Sequence, residues 1–359
     1  MTEINNALKT IITKYLEKEY FTGVTCLVKK NGVEISRLEE GFLQKGDHRK
    51  IDSNSIYDLA SVSKIVTSTI ILKFISDGMI SLETTLGHCL PEVEKHPILK
   101  DISIKQLLTH NSGLIAWYPF YSELPNDNLF DILSKIELQH QEDKTVYSDL
   151  NFILLGEVVK KLTNMSLQQS LKKYIIEPLK METMTFGPIK DERFEHVVAT
   201  EFGNRIEMKM CEDRQKDFDG FRDTSRAIVG EVNDGNCHYF FNGQSGHAGI
   251  FATADDLSKL ANLYLKGGSI DGKEYIVESL IKQSMNKQTE DRGLGWQINE
   301  PFPIGCGHTG FTGTSIWLVP EIELEVILLT NRLNVENPTN INPFRKEIFN
   351  QILKEIHQK

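Results

Sequence analysis

Leu59-Ala60-Ser61-Val62-Ser63-Lys64-Ile65-Val66-Thr67 is the stretch around which the chain reads. From Ser61 to Phe74 the only charged residues are Lys64 and Lys73, and the run closes on Asp77-Gly78. Apolar and β-branched residues behind a serine and ahead of a glycine describe a helix buried on most sides. Ser61 and Lys64 stand three residues apart in its first turn and share a face. A hydroxyl and an amine then lie side by side at the positive end of a helix dipole. Desolvation and the dipole both favour the neutral amine, and a neutral amine can activate a hydroxyl for attack. Ser61 is read as a nucleophile and Lys64 as its uncharged partner. Spacing alone does not decide this, since it recurs at Ser170/Lys173, Ser279/Lys282 and Ser284/Lys287. Those three lie among polar neighbours, where a lysine can point to water.

Working outward, the N-terminal flank is a sheet. Gly23 to Lys30 reads as a strand, Asn31-Gly32 as a two-residue hairpin turn, and Val33 to Ser36 as the antiparallel return. An amphipathic helix carrying Ile4, Leu8, Ile11, Ile12 and Tyr15 precedes it. Residues 79 to 185 change character. Leu82 to Leu90, Ile104 to Leu108, Leu129 to Leu138, Leu150 to Leu162 and Leu167 to Leu179 carry helical spacing, with loops at Thr109 to Gly113 and Pro119 to Asn128. Strands return after residue 186. They are expected at His196 to Thr200, Gly293 to Ile298, Thr314 to Val319 and Leu324 to Thr330, with helices over Ala254 to Leu265 and Pro343 to Ile356. Asp213 to Asp234, charged and weakly periodic, reads as a long surface excursion and a candidate lid. The expectation is an α/β (α+β) fold. An antiparallel sheet built from 1–78 and 186–359 is split by a helical insertion at 79–185, and the Ser61 helix lies at the junction, where clefts form.

Composition narrows the function. The chain has 359 residues, 40% of them hydrophobic and 25% charged, the mix of a globular protein with ample core. Forty basic against 50 acidic residues give a net charge of −10 with no long basic run, which argues against nucleic acid and anionic membranes. No apolar run reaches a membrane span, and no export signal is visible at the N-terminus. The five scattered cysteines (26, 89, 211, 237, 306) contain no CxxC pair. Together these suggest a reducing, cytoplasmic setting. Zinc is disfavoured because the histidines and cysteines lack ligand spacing, and Gly243-Gln244-Ser245-Gly246 misses the nucleophile-elbow pattern by one residue.

Two further groups can complete a site. Tyr147-Ser148-Asp149 stands directly before an apolar helix, so Ser148 or Asp149 is expected as its N-cap. Tyr147 can present a phenol oxygen to a cleft as a base held by a nearby lysine. Gly307-His308-Thr309-Gly310-Phe311-Thr312-Gly313 runs into a strand, and its glycines permit close backbone approach to a ligand with N–H groups aimed at an oxyanion.

In this order, Ser61-x-x-Lys64, Tyr147-Ser148-Asp149 and His308-Thr309-Gly310 resemble the serine β-lactamase and penicillin-binding-protein superfamily. The likeness is nearest to its class C branch, with esterases, D-aminopeptidases and DD-carboxypeptidases. Leu107 to Leu114, Gly246 to Phe251, Gly293 to Trp296 and Leu328 to Arg332 resemble that branch too, so the likeness spans about residues 20 to 332. The resemblance implies a β-lactamase/transpeptidase-like fold with Ser61 as the acylated nucleophile and Lys64 and Tyr147 sharing proton transfer. It further implies an oxyanion hole from the Ser61 and Phe311 N–H groups, His308 as a donor lining the site, and Thr309 and Gly310 against substrate. No metal or organic cofactor is implied; the substrate is a small molecule or short peptide.

Two departures matter. Asp149 stands where β-lactamases carry asparagine, and an ionised carboxylate only accepts hydrogen bonds, repels anionic substrates and would hold Lys64 charged. His308 replaces a lysine, removing a fixed charge that recruits a substrate carboxylate. Both changes lead to an esterase or peptidase with weak or no β-lactam hydrolysis. The alternatives are a DD-carboxypeptidase or class C β-lactamase, and a catalytically silent ligand-binding relative.

Overall fold

The computed structural model describes residues 2–136 and 145–357. Its principal sheet is antiparallel throughout, with β1 (Gly23–Lys30), β2 (Val33–Gly41), β3 (Cys306–Thr309), β4 (Ser315–Val319) and β5 (Leu324–Thr330) in the order β2-β1-β5-β4-β3. Both ends of the chain thus build one sheet. Asn31 and Gly32 turn the β1–β2 hairpin with φ of 53° and 74°, the left-handed pair that such a turn requires. In β1, Cys26 faces Leu328 of β5 on one side and Leu38 of β2 on the other.

Alternation along the strands sorts side chains to two faces. Val24, Cys26 and Val28, with Trp317, Val326 and Leu328, pack under the N-terminal helix Thr2–Glu17 and the C-terminal helix Asn342–His357. Leu27, Ile316, Leu318, Ile327 and Leu329 meet the Ser63–Ser76 and Ala254–Leu265 helices on the other face. The same core continues into Leu107, Phe152, Leu154 and Leu171 of the helical segment. A small sheet pairs Ile250–Ala252 with Tyr57–Asp58 and with Thr185–Phe186.

Several local expectations differ from what folds. Gly293 to Ile298 forms no strand; Gln297 only bridges Arg292 and Gly307. The segment's N–H groups bond elsewhere, Gly293 to the Trp296 carbonyl, Leu294 to the Ser284 carbonyl and Gly295 to the Leu108 carbonyl, which keeps it out of a ladder. His196 to Thr200 follows a 3₁₀ turn at Glu192–His196 and gives a single parallel bridge, Ile56 with Val197. Leu82 to Leu90 is helical only over Leu86–Cys89. The helix expected from Leu129 forms over Leu129–Leu133, and its expected end at Leu138 lies outside the described residues. Asp213 to Asp234 is largely irregular but anchored, with the Phe218 and Phe221 rings packed edge-on or tilted against Tyr121 and Tyr239.

Candidate active site

Tyr57–Asp58 leads into a 3₁₀ turn, Ala60–Val62, on which the Ser63–Ser76 helix is built. Ala60 adopts φ +45°, a conformation costing an L-residue about 1–3 kcal/mol. The buried Asp58 carboxylate restrains it, accepting the Ala60 N–H at 2.9 Å and the Asn233 N–H at 2.7 Å. Burial raises that carboxyl to about 6. The turn sets Ser61 in a cleft of about 610 Å³, with its N–H unpaired among the described residues.

One turn along, Lys64 is fully buried with its side chain 0% exposed. Its Nζ donates to Ser61 Oγ at 2.9 Å, Asp149 Oδ1 at 2.7 Å and the His247 carbonyl at 3.3 Å. The expectation of a neutral amine is corrected here. Burial works against the charge, but Asp149 and then Tyr147 outweigh it and hold the ammonium above its ordinary value. Asp149 is the cause foreseen for such a reversal. The other Ser-x-x-Lys spacings have no comparable setting; Lys282, for one, is 65% exposed and pairs with Glu278.

Asp149 opens the Asp149–Thr163 helix, and Ser148 takes the N-cap position without capping through its side chain. Ser148 Oγ donates instead to the Ile115 carbonyl at 2.6 Å, and its N–H donates to His110 Nδ1 at 3.1 Å. His110 lies 4.6 Å from Tyr147, ring to ring, and supports it from behind. Lys64 Nζ lies 4.9 Å and the Arg292 guanidinium 5.2 Å from the Tyr147 ring centre.

Across the cleft, Thr309, Gly310 and Phe311 line the wall. Their turn is tied to the Ser61 turn by two hydroxyls: Thr312 donates to the Asp58 carbonyl at 2.8 Å and Thr314 to the Leu59 carbonyl at 2.9 Å. A Cβ on Gly310 would meet the Leu59 carbonyl at 2.5 Å, so only glycine allows this approach. The Phe311 N–H has no hydrogen bond among the described residues. His308 sits behind the wall, 1% exposed and 6.1 Å from the Tyr147 ring. Burial and then the charges of Lys64 and Arg292 push its imidazole well below the ordinary value, so it is neutral. Its Nδ1–H donates to the Thr309 carbonyl at 2.9 Å, and its Nε2 is unpaired among the described residues.

Other residues of the site were given no role from the sequence, although His247 and Arg332 fall within the Gly246 to Phe251 and Leu328 to Arg332 stretches. Arg292, buried beside Tyr147, has Nε and Nη1 without hydrogen-bond partners among the described residues. Arg332 and Arg345 border the cleft beside the Gly310–Phe311 turn, donating to the Phe311 and Gly310 carbonyls. Asp234 accepts from His247 Nε2 at 2.9 Å, while His247 Nδ1 meets Ser245 Oγ at 2.8 Å. Burial pushes Asp234 up, but His247 and the Cys237 N–H hold it below the ordinary carboxylate value. Asp149, Asp234 and His247 bring ligand atoms within 4.8 Å of one another, the set best placed to hold a cation; the Lys64 ammonium already lies against Asp149.

A sheet from both chain ends, a helical segment between, and a serine–lysine pair facing a tyrosine and an HTG turn define the serine β-lactamase and penicillin-binding-protein class. The family model described as Beta-lactamase matches residues 8–348, and the chain belongs to that family. It is 27% identical over 368 positions to an N-acetylmuramyl-L-alanine amidase of Bacillus subtilis (strain 168), covering 92% of this chain and 82% of that one. A putative D-alanyl-D-alanine carboxypeptidase of Salmonella paratyphi A is 26% identical, with 90% and 82% covered. The fold matches a class C β-lactamase from Rhodobacter sphaeroides with a TM-score of 0.76 at 17% identity, covering 98% and 99% of the two chains. A penicillin-binding protein homologue from Caulobacter crescentus gives 0.72 at 15%, with 98% and 97% covered. No helix among the described residues is long and apolar enough to cross a membrane.

Proposed function

We propose that the chain is a serine hydrolase that forms an acyl-enzyme at Ser61 on an ester or amide of a small molecule or short peptide, with weak or no β-lactam hydrolysis. The observation that carries this is the buried Lys64 Nζ, 2.9 Å from Ser61 Oγ and 2.7 Å from Asp149. A charged Lys64 cannot take the serine proton, so the ammonium first gives up its own proton to solvent, against the pull of Asp149. The neutral amine then takes the Ser61 proton as Oγ attacks the carbonyl carbon. The developing oxyanion lies between the Ser61 and Phe311 N–H groups. Lys64 with Tyr147 returns the proton to the leaving alcohol or amine, and water releases the acyl group by the reverse sequence. A negative Asp149 and a neutral His308 disfavour an anionic β-lactam. Five buried, unpaired cysteines support the cytoplasm as its compartment.

A DD-carboxypeptidase or class C β-lactamase is the second reading, favoured by Arg332, a cation lining the cleft that can receive a substrate carboxylate. A fluorophosphonate probe should label the wild type, and Ser61→Ala should abolish labelling. An unlabelled wild type overturns the proposal in favour of a silent, ligand-binding relative. Turnover of a short-chain nitrophenyl ester well above that of a chromogenic cephalosporin supports the first reading; the opposite order supports the second.

A further inference from the structure

We infer that Arg345 is a positioning residue for the oxyanion site: its guanidinium, bonded to the Gly310 carbonyl, polarises the Gly310–Phe311 peptide and strengthens the Phe311 N–H as a donor. The inference rests on the reading of Ser61 as the acylated residue.

Arg345 comes from the C-terminal helix and is 5% exposed. Its Nη2 donates to the Gly310 carbonyl at 3.1 Å and the Thr314 carbonyl at 2.7 Å, and its Nη1 donates to Asn342 Oδ1 at 3.0 Å. No carboxylate bonds to it among the described residues, and the charge of Arg332 opposes its own. Burial and that like charge push it down to about 9, which leaves it protonated at neutral pH. A buried cation paired only with carbonyl dipoles carries a desolvation cost that a neutral side chain filling the same space would avoid. The charge therefore calls for a role beyond packing.

The Gly310 carbonyl and the Phe311 N–H are two ends of one conjugated peptide. A charged donor on the oxygen draws electron density from the nitrogen, and linked hydrogen bonds strengthen one another. The Gly313 N–H adds a second donor to the same oxygen at 3.1 Å. Arg332 fixes the next peptide, donating to the Phe311 carbonyl at 2.6 Å with its guanidinium 5.0 Å from the Phe311 ring centre. Position is secured separately, because Thr312 and Thr314 tie the turn to Asp58 and Leu59. Removing the guanidinium should thus weaken the donor more than it moves the turn.

Arg345→Met and Arg345→Lys in the full chain test this, with an uncharged nitrophenyl ester as substrate. The methionine variant should lose about 10-fold in kcat with KM nearly unchanged, a fraction of the ~10²–10³ that a whole oxyanion donor contributes. Affinity for a phenylboronic acid, a tetrahedral anion once bound, should fall in parallel. In protein carrying ¹⁵N-phenylalanine, the Phe311 amide proton should move upfield. Lysine, keeping one charged donor, should restore most of each change; should methionine not fold, Arg345→Gln, which is uncharged, takes its place and should show a comparable loss. An unchanged kcat, a loss confined to KM, or an unmoved Phe311 resonance overturns the inference. Were the wild type inert to fluorophosphonate, the hydrolase reading would fall, while the amide shift would still report on the polarisation.

Discussion

A carboxylate 2.7 Å away, aided by Tyr147, sets the charge on Lys64 and reverses what its own helix dictates. A lysine in the first turn of an apolar helix should be discharged by desolvation and dipole alone. Asp149, 85 residues further on, adds a fixed negative charge that overrides both. Asp149→Asn should therefore let burial win and lower the Lys64 pKa. Since the amine acts only when neutral, kcat/KM rises with pH toward its pKa, and the variant's rising limb should lie at lower pH than the wild type's. A pH–rate profile on an uncharged ester measures this, and coincident limbs would remove Asp149 from control of Lys64. The Ser61–Lys64 contact itself was legible because three residues of helix fix it. The charge was not, because it depends on which distant side chain arrives. Arg292 and Asp234 escaped for the same reason: each is an isolated polar residue whose neighbours in space, Tyr147 and His247, come from other segments.

Elements reach the cleft through close backbone approach. The Asp149–Thr163 helix lies against the Gly246 loop so tightly that a Cβ on Gly156 would meet the Gly246 nitrogen at 2.8 Å and its Cα at 3.0 Å. Asp149 and the His247 carbonyl, one from each element, both meet Lys64. Gly156→Ala should push helix and loop apart, costing about 1–3 kcal/mol as overpacking does. Urea unfolding measures the cost, and kcat on the ester should fall alongside; full stability with full activity would mean the loop shifts freely. The hairpin at Asn31-Gly32 and the terminal helices were readable because a turn pair and an apolar stripe are local signals. Gly293 to Ile298 misled because its alternation resembles a strand, whereas bonds to the Ser284 and Leu108 carbonyls set its path.

Closing the sheet joins the two ends of the chain to the cleft. β1 pairs with β5, and the terminal helices cover the face where Val24, Trp317 and Leu328 emerge. The helix carrying Phe344, Ile348, Phe349 and Ile352 into that face also carries Arg345 to the Gly310 carbonyl. Core packing and the chemistry of the oxyanion turn thus share one element. Phe349 is fully buried, its ring 4.7 Å from Trp317 and 5.6 Å from Phe302. Phe349→Ala should cost about 3–5 kcal/mol, the transfer loss plus the cavity left behind, and urea denaturation should register it. At a temperature where the variant is fully folded, kcat on the ester should stay within about 3-fold of wild type, because Arg345 keeps its bonds to Gly310 and Thr314 whether or not the cavity below is filled. A loss of kcat as large as that of Arg345→Met would mean that the seating of the whole helix, rather than the guanidinium, tunes the turn.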